Sequence, residues 1–171
     1  MSVPRGLARW VRHFRIGSLQ VRRAFPAEAI GRIERAIADG ERRHRAELRF
    51  AIESSLDAAR LWRGITAKQR AVEVFAEFRI WDTEEDNGVL IYVLWADRAV
   101  EIVADRGACR RIDAAVWTDA CNRLAGACRD ARQLEGALEA IALLSDALAV
   151  AYPTDGRANP NELPDAPLVL G

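Results

Sequence analysis

The stretch WDTEEDNGVLIYVLWADRAVEIVADRG, residues 81–107, decides the fold of this chain. An acidic loop leads into Asn87-Gly88, and a strand of branched and aromatic residues, 89–95, follows it. A polar turn at 96–98 then leads to a second strand at 100–103, which predicts an antiparallel hairpin. The strand at 89–95 has no polar face, and such a strand is typical of a sheet that helices cover on both sides.

The residues before the hairpin predict a βαβ unit. The segment ELRFAIES, 47–54, alternates apolar and charged side chains, which indicates a strand with one buried face. A helix then begins at Thr66, where Thr66 and Gln69 have the spacing of a capping box. Because a strand, a helix and a strand follow one another, the strands at 47–54 and 89–95 should be parallel.

Three longer helices complete the predicted fold. One begins after Pro26, and two more follow the hairpin at about 113–129 and 134–150. The predicted fold class is α/β, a three-layer α/β/α sandwich with a small mixed sheet that combines the βαβ unit with the antiparallel hairpin. We divide the chain into a basic arm at 1–26, the domain at 27–153 and an extended, proline-rich tail at 154–171.

The N-terminal arm is charged differently from the rest of the chain. Residues 1–26 carry six arginines and no acid, so the net charge of zero leaves −6 for residues 27–171. Leu7, Trp10, Val11 and Phe14 recur at helical spacing between the arginines. Residues 1–25 are therefore expected either to make a peripheral contact with an anionic membrane surface, or to form a frayed leader whose apolar residues dock on the domain.

Composition argues against several classes of protein. No apolar run approaches the ~20 residues that span a bilayer, and arginines interrupt any secretory signal. Three cysteines at no metal-like spacing predict free, buried thiols in a reducing compartment. We therefore expect a cytoplasmic protein, possible contact with the inner face of the membrane, and no nucleic-acid partner, because the residues after the arm are acidic.

Acidic residues flank the hairpin at one end. If the strands pair about Asp97, Val89 lies opposite Asp105, and that aspartate comes close to the loop at 82–86. Oxygen donors without histidine or thiolate suit Ca²⁺ or Mg²⁺. The candidate metal ligands are Asp82, Asp86 and Asp105, with Glu84 and Glu85 ranked below them. The alternative is a solvated turn, in which Asn87-Gly88 supplies the positive-φ positions.

The run Asp86-Asn87-Gly88-Val89-Leu90-Ile91-Tyr92-Val93 resembles the D-N-G-V-L-(I/L) core of the TPM domain. The Asp97-Arg98 turn, the strand at 100–103 and the two closing helices resemble that family too, over about residues 27–153. The lead-in Trp81-Asp82-Thr83 and the closing motif NELPD, 161–165, are similar to a short, soluble bacterial subfamily.

The resemblance implies an α/β/α sandwich and several functions. The family is known for a thylakoid-lumen acid phosphatase, photosystem II repair factors and a receptor-accessory protein, and some members bind calcium through clustered acids. It implies first a non-enzymatic binding or accessory module with a protein partner, which binds a divalent cation at the acidic rim. The alternatives are a metal-assisted phosphatase acting on phosphate monoesters and a membrane-surface adaptor that uses the arm.

The sequence departs from the family after the third strand. Many relatives carry a loop of the form G-x-G-x-E-G there, and this chain has ADRGAC at 104–109. Two glycines and the glutamate are missing, which argues against a function that needs close backbone approach along that loop.

Overall fold

The computed structural model describes residues 5–154 and 162–171, and its centre is one mixed sheet. Four strands form the sheet in the order β3-β2-β1-β4: β1 Leu48–Glu53, β2 Val89–Leu94, β3 Ala99–Ala104 and β4 Leu168–Leu170. β1 and β2 are parallel, and β2 and β3 are antiparallel, as the sequence predicted. Residues 168–170 of the tail were expected only to dock onto the domain, and they do so as a strand, β4, which joins the sheet parallel to β1.

Helices cover both faces of this sheet, which confirms the α/β/α sandwich. The larger layer packs α3, α7 and α8 against one face, and the smaller layer packs α4 and α5 against the other. The helices are α1 Arg5–Arg15, α2 Ser18–Ala24, α3 Ala27–Glu41, α4 Ala58–Trp62, α5 Ala67–Glu77, α6 Arg106–Arg111, α7 Ala114–Arg129 and α8 Gln133–Ala151.

Short polar side chains start several of these helices. Asp57, Asp105 and Asp113 each accept a hydrogen bond from a main-chain N–H in the first turn of α4, α6 and α7. Thr66 and Gln69 form the predicted capping box at α5. These caps satisfy main-chain donors that have no partner inside the helix, so they fix where the chain turns from loop to helix.

The register of the hairpin differs by one residue from the prediction. Val89 lies opposite Ala104 and not Asp105, because four residues, 95–98, form the turn between Leu94 and Ala99. Arg98 takes a positive φ of 51° in that turn. The N–H of Asp105 instead donates to the carbonyl of Gly88 at 2.8 Å, so the aspartate still lies at the end of the hairpin next to the acidic loop.

The prediction that the first strand has a solvent-facing side was wrong. All six residues of β1 are buried, including Arg49 and Glu53. Glu53 accepts hydrogen bonds from Nε of Arg70 at 2.9 Å and from the hydroxyl of Tyr92 at 2.6 Å. The charged face of the alternation therefore points at α5 and the C-terminal tail instead of water.

The N-terminal arm is docked on the domain, but the expectation that its apolar residues make the contact was wrong for three of the four: Trp10 packs against the smaller core cluster, and Leu7, Val11 and Phe14 are exposed. Asp97, in the hairpin turn, accepts hydrogen bonds from Arg9 at 3.0 Å and His13 at 3.0 Å. Because the N–H of Leu56 donates to Nδ1 of His13 at 2.9 Å, the proton of the neutral ring is on Nε2 and points at Asp97. Val21 and Phe25 of the arm lie in the main hydrophobic core. The boundary placed after residue 26 stays a prediction.

Carboxylates hold the C-terminal tail against β1. Glu47 accepts hydrogen bonds from the N–H groups of Glu162 at 3.3 Å and Leu163 at 3.0 Å. Glu41 accepts from the N–H of Leu48 at 3.0 Å and shares a side-chain hydrogen bond with Asp165. Burial raises the pKa of Glu41 to about 9 and that of Glu47 to about 6. Asn161 of the closing motif lies outside the described residues.

The contacts of Asp97 generate the first prediction. Burial alone would raise the pKa of Asp97, but hydrogen bonds from Arg9 and His13 outweigh it and leave the pKa below its usual value. Asp97→Asn should therefore lower the free energy of unfolding by about 2 kcal/mol at neutral pH, measured by urea denaturation. The loss should shrink in acid, as pH falls through the low pKa of the native state.

Asp119→Asn is the matched control for this measurement. Its carboxylate pairs with Arg123 on an exposed face of α7, where an ion pair contributes little. Equal losses of stability in the two variants would contradict a special role for the turn carboxylate.

The raised pKa of Glu41 generates a second prediction. Between pH 4.5, the ordinary pKa, and about pH 9, Glu41 is protonated in the native state and ionised in the unfolded state. The free energy of unfolding is therefore highest below this pH range and falls as pH rises through it. Glu41→Gln keeps an acceptor for Leu48 and a donor for Asp165 but cannot ionise. Its advantage over the wild type should therefore grow by about 1–3 kcal/mol from about pH 5 to about pH 8 in urea denaturation.

Glu34→Gln, on an exposed position of the same helix, is the control and should keep the wild-type pH profile. Parallel profiles for Glu41→Gln and the wild type would show that Glu41 ionises normally in the folded protein.

Candidate functional site

An apolar stripe faces outward from the two N-terminal helices. Leu7, Val11, Phe14 and Leu19 expose between 45% and 70% of their surface. At ~100° per residue, the first three lie on one side of α1, and Arg9 and His13 lie on the other. Since Arg9 and His13 bind Asp97, the docking of α1 directs the apolar stripe into solvent.

Arginines border this stripe. Arg12, Arg15, Arg22 and Arg23 are exposed, and the first acidic residue in the chain is Glu28. We call the stripe and these four arginines the basic-apolar face. Asp97 touches it through Arg12 at 3.3 Å, but the side chain of Asp97 is 14% exposed and also bound to Arg9 and His13. The face is therefore cationic and apolar at once, the composition of helices that lie in a membrane interface.

Three of the five predicted metal ligands have other partners. Asp82 forms an ion pair with Arg79 at 3.0 Å, and Glu85 forms one with Arg45 at 2.5 Å. Asp105 accepts a hydrogen bond from the N–H of Arg106 at 2.6 Å and caps α6. In the part of the chain that the structure describes, the carboxylates of Glu84 and Asp86 contact no basic group, and both residues are exposed.

The loop at 85–86 nevertheless packs closely on the start of α6. A Cβ on Gly107 would overlap the main-chain oxygen of Asp86 and would lie 3.0 Å from that of Glu85. The hydroxyl of Tyr152 is also 3.0 Å from that point. This close approach of the loop explains why a side chain does not fit at position 107.

Oxygen atoms are thus concentrated where the loop meets α6. The side-chain oxygen of Asn87 and the hydroxyl of Tyr152 are both buried, and neither has a hydrogen-bond partner among the residues that the structure describes. Burial raises the pKa of Tyr152, and the charges of Arg111 and Arg110 act against those of Glu85 and Asp105. Within residues 5–154 and 162–171, however, no three Asp, Glu, His or Cys side chains are placed to hold one metal ion.

Both surfaces include residues from distant parts of the chain that local sequence patterns did not indicate. Glu162, from the tail, adds a carboxylate to the acidic loop by accepting a hydrogen bond from the N–H of Glu84 at 3.1 Å. No local pattern indicated Arg9, His13 or Tyr152, because each contacts residues that are distant in sequence. Arg9 and His13 bind Asp97, and the hydroxyl of Tyr152 lies beside Gly107. The cysteines are free as predicted, but Cys109 is exposed and Cys121 and Cys128 are only partly buried, so the expectation of three buried thiols was wrong.

In the two described segments, no helix combines the length and apolar composition needed to cross a bilayer. The basic-apolar face and the acidic loop lie at opposite ends of the hairpin.

Comparisons with known proteins agree with this architecture. The family model of the TPM domain matches residues 22–147. The NMR structure of the BA42 protein, from the psychrophilic bacterium Bizionia argentinensis, superposes with a TM-score of 0.75 at 26% identity. That match covers 85% of this chain and 94% of BA42. No curated protein matches. With most of its sheet and five of its helices inside the matched range, this chain belongs to the TPM domain family.

Proposed function

We propose that this TPM domain is a non-enzymatic accessory module that associates with anionic membrane surfaces through its basic-apolar face. The observation that carries the proposal is the orientation of α1. Asp97 holds Arg9 and His13 against the domain, and this turns Leu7, Val11 and Phe14 outward. A helix kept only for packing would have its apolar side against the core instead.

Charge complementarity selects the membrane over other occupants of this face. The exposed arginines attract an anionic surface at about 1 kcal/mol each, and the four apolar side chains add burial in the acyl boundary. A second copy of this chain is a weaker candidate to cover this face, since the two positively charged arms would repel each other. An acidic protein would satisfy the arginines but would need its own apolar patch to cover Phe14 and Leu19.

Point variants test the proposal better than truncation, because Val21 and Phe25 are part of the core. Phe14→Gln removes a ring that is 70% exposed, so folding should be unaffected. Sedimentation with phosphatidylglycerol vesicles should show affinity lower by about tenfold, the value expected for losing the burial of one large apolar side chain.

Val150→Gln, at a position that is 85% exposed on α8, is the control and should bind like the wild type. Raising the salt concentration or replacing the vesicles with phosphatidylcholine should weaken binding of every variant. Equal sedimentation of Phe14→Gln and wild type, or a change of oligomeric state on Phe14→Gln, would refute the membrane assignment.

A second candidate function is binding of Ca²⁺ or Mg²⁺ at the acidic rim. Asp86, which has no basic partner in the described residues, would be the main ligand, with main-chain oxygens of the loop and the unpartnered oxygen of Asn87 beside it. Hard cations take such oxygen donors. The ion pairs of Asp82 and Glu85 with arginines count against a tight site, and for this reason we place the function second.

An NMR titration with Ca²⁺ or Mg²⁺ tests this candidate. The amides of 82–88, Asp105 and Gly107 should shift, and Asp86→Ala should abolish the shifts. Asp130→Ala, in the distant turn between α7 and α8, should leave them intact. Peaks that stay in place at millimolar cation would dismiss the rim as a metal site.

Phosphate-ester hydrolysis by this domain would need the same cation, which would polarise a phosphoryl oxygen and activate water. Turnover of a generic phosphate ester that depends on metal and is lost in Asp86→Ala would favour this alternative. The accessory function is preferred because three of the five acids at the rim already bind arginines or cap a helix.

A further inference from the structure

A surface cleft lies where α1 and α2 meet the turn of the hairpin. It encloses about 610 Å³, and three arginines, Arg12, Arg15 and Arg98, line it together with Val11 and Ile16. Arg15 and Arg98 have no acidic partner in the described residues, and Arg12 reaches Asp97 at 3.3 Å in an exposed pair. Three guanidinium groups around one cleft are a strong signal for an anion with several oxygens.

The one carboxylate in this cleft does not cancel the arginines. Asp97 forms its shorter contacts with Arg9, at 2.9 Å, and with His13, at 3.0 Å, and its side chain is 14% exposed. Its charge is therefore matched by Arg9, outside the cleft, and the contact with Arg12 is the longest of the three. An exposed ion pair of this kind contributes little, so Arg12 is free to turn toward a ligand.

A second, apolar cleft adjoins the first and shares Ile16 and Arg98 with it. This cleft encloses about 280 Å³; Val93, Trp95, Val100 and Cys128 form much of its wall, and Arg129 and Gln133 also line it. A ligand with an anionic head and an apolar body would have both parts covered, the head by the arginines and the body by Trp95 and its neighbours. A free inorganic anion would use the first cleft alone.

We infer that the two clefts form a binding site for the phosphate-monoester head of an anionic lipid, of the phosphatidic acid type. A monoester presents three terminal oxygens, one for each guanidinium, and a phosphodiester head such as phosphatidylglycerol presents two. The inference rests on the proposed membrane association and adds a lipid preference to it. Val11 links the two functions, because it lines the cleft and belongs to the exposed stripe.

Short-chain lipids below their micelle concentration test the site without requiring membrane binding. NMR titration with dihexanoyl phosphatidic acid should shift the side-chain N–H signals of Arg15, Arg98 and Trp95. Binding should be about tenfold tighter than that of dihexanoyl phosphatidylglycerol, the ratio expected for one additional charge-assisted hydrogen bond. Glycerol 3-phosphate should bind more weakly than the lipid and leave the Trp95 signal in place.

Two variants with the same change of charge distinguish an effect of the cleft from a general effect of the positive charge of the arm. Arg98→Asn removes one guanidinium, and asparagine tolerates the positive φ of that position. It should bring the two lipids to equal affinity. Arg23→Gln, on α2 and outside both clefts, should keep the tenfold preference. Thermal unfolding of both variants should match the wild type, which verifies that the fold is intact.

The outcomes distinguish this inference from the proposed function. The protein could bind vesicles of phosphatidic acid and of phosphatidylglycerol, matched in surface charge, with equal affinity, and bind the two short-chain lipids equally as well. That result would support membrane association but would overturn the headgroup site. Binding of glycerol 3-phosphate as tight as that of the lipid, without a shift of Trp95, would assign a soluble phosphate monoester and overturn the lipid. Short-chain binding without vesicle binding would refute the membrane function on which the inference rests.

Discussion

The rest of the fold depends on the interaction of Glu53, in β1, with Arg70 and Tyr92. The carboxylate of Glu53 lies in the interior of the sandwich, where an unpaired charge is costly. The Nε–H of Arg70, in α5, donates to both oxygens of this carboxylate, and the hydroxyl of Tyr92 donates to it from the neighbouring strand. The position and rotation of α5 against the sheet are thus set by the need to satisfy one buried charge. Removing either partner would leave that charge unsatisfied, which is more harmful than replacing the whole network by apolar groups.

Asp97 fixes the N-terminal helices by the same logic at the edge of the fold. Its contacts with Arg9 and His13 hold one side of α1, and His13 is locked in turn by the N–H of Leu56. Rotation of α1 by half a turn would bury Phe14 and Leu7 but would separate Asp97 from the guanidinium of Arg9 and from the ring N–H of His13. The polar clamp therefore determines which side of the helix meets the surroundings, and so determines the chemistry of the candidate surface.

Local patterns were sufficient to predict most of the architecture. The capping box at Thr66, the apolar strand at 89–95 and the two closing helices depend on neighbours in sequence, and each lies where the sequence placed it within one or two residues. Interactions that join distant parts of the chain carried no such signal. Alternation in β1 indicated a solvent-facing side, because Arg70, which covers Glu53, cannot be paired with it from the pattern alone. The predicted hairpin register was wrong by one residue, since the length of the turn depends on the positive φ of Arg98.

For the candidate site, the sequence predicted the amphipathic character of α1 and the acids of the rim. It did not predict which side of α1 faces out, or that Arg79 and Arg45 pair with two of those acids.

The two charged surfaces are at opposite ends of the same hairpin, and this arrangement bears on how the protein would work at a membrane. Asp97 and the arginines lie at the turn, and the acidic loop lies six residues away along β2, about 20 Å at the rise of a strand.

Docking of the basic-apolar face on an anionic bilayer would therefore direct the acidic rim away from the lipid and into the aqueous phase. Repulsion between the rim and the membrane would reinforce that orientation, and screening by salt would weaken it. A protein whose net charge is zero would then present a positive side to the membrane and a negative side to partners or cations. The separation of charge, more than its total, is what makes an accessory function between a lipid surface and a second component physically reasonable for this chain.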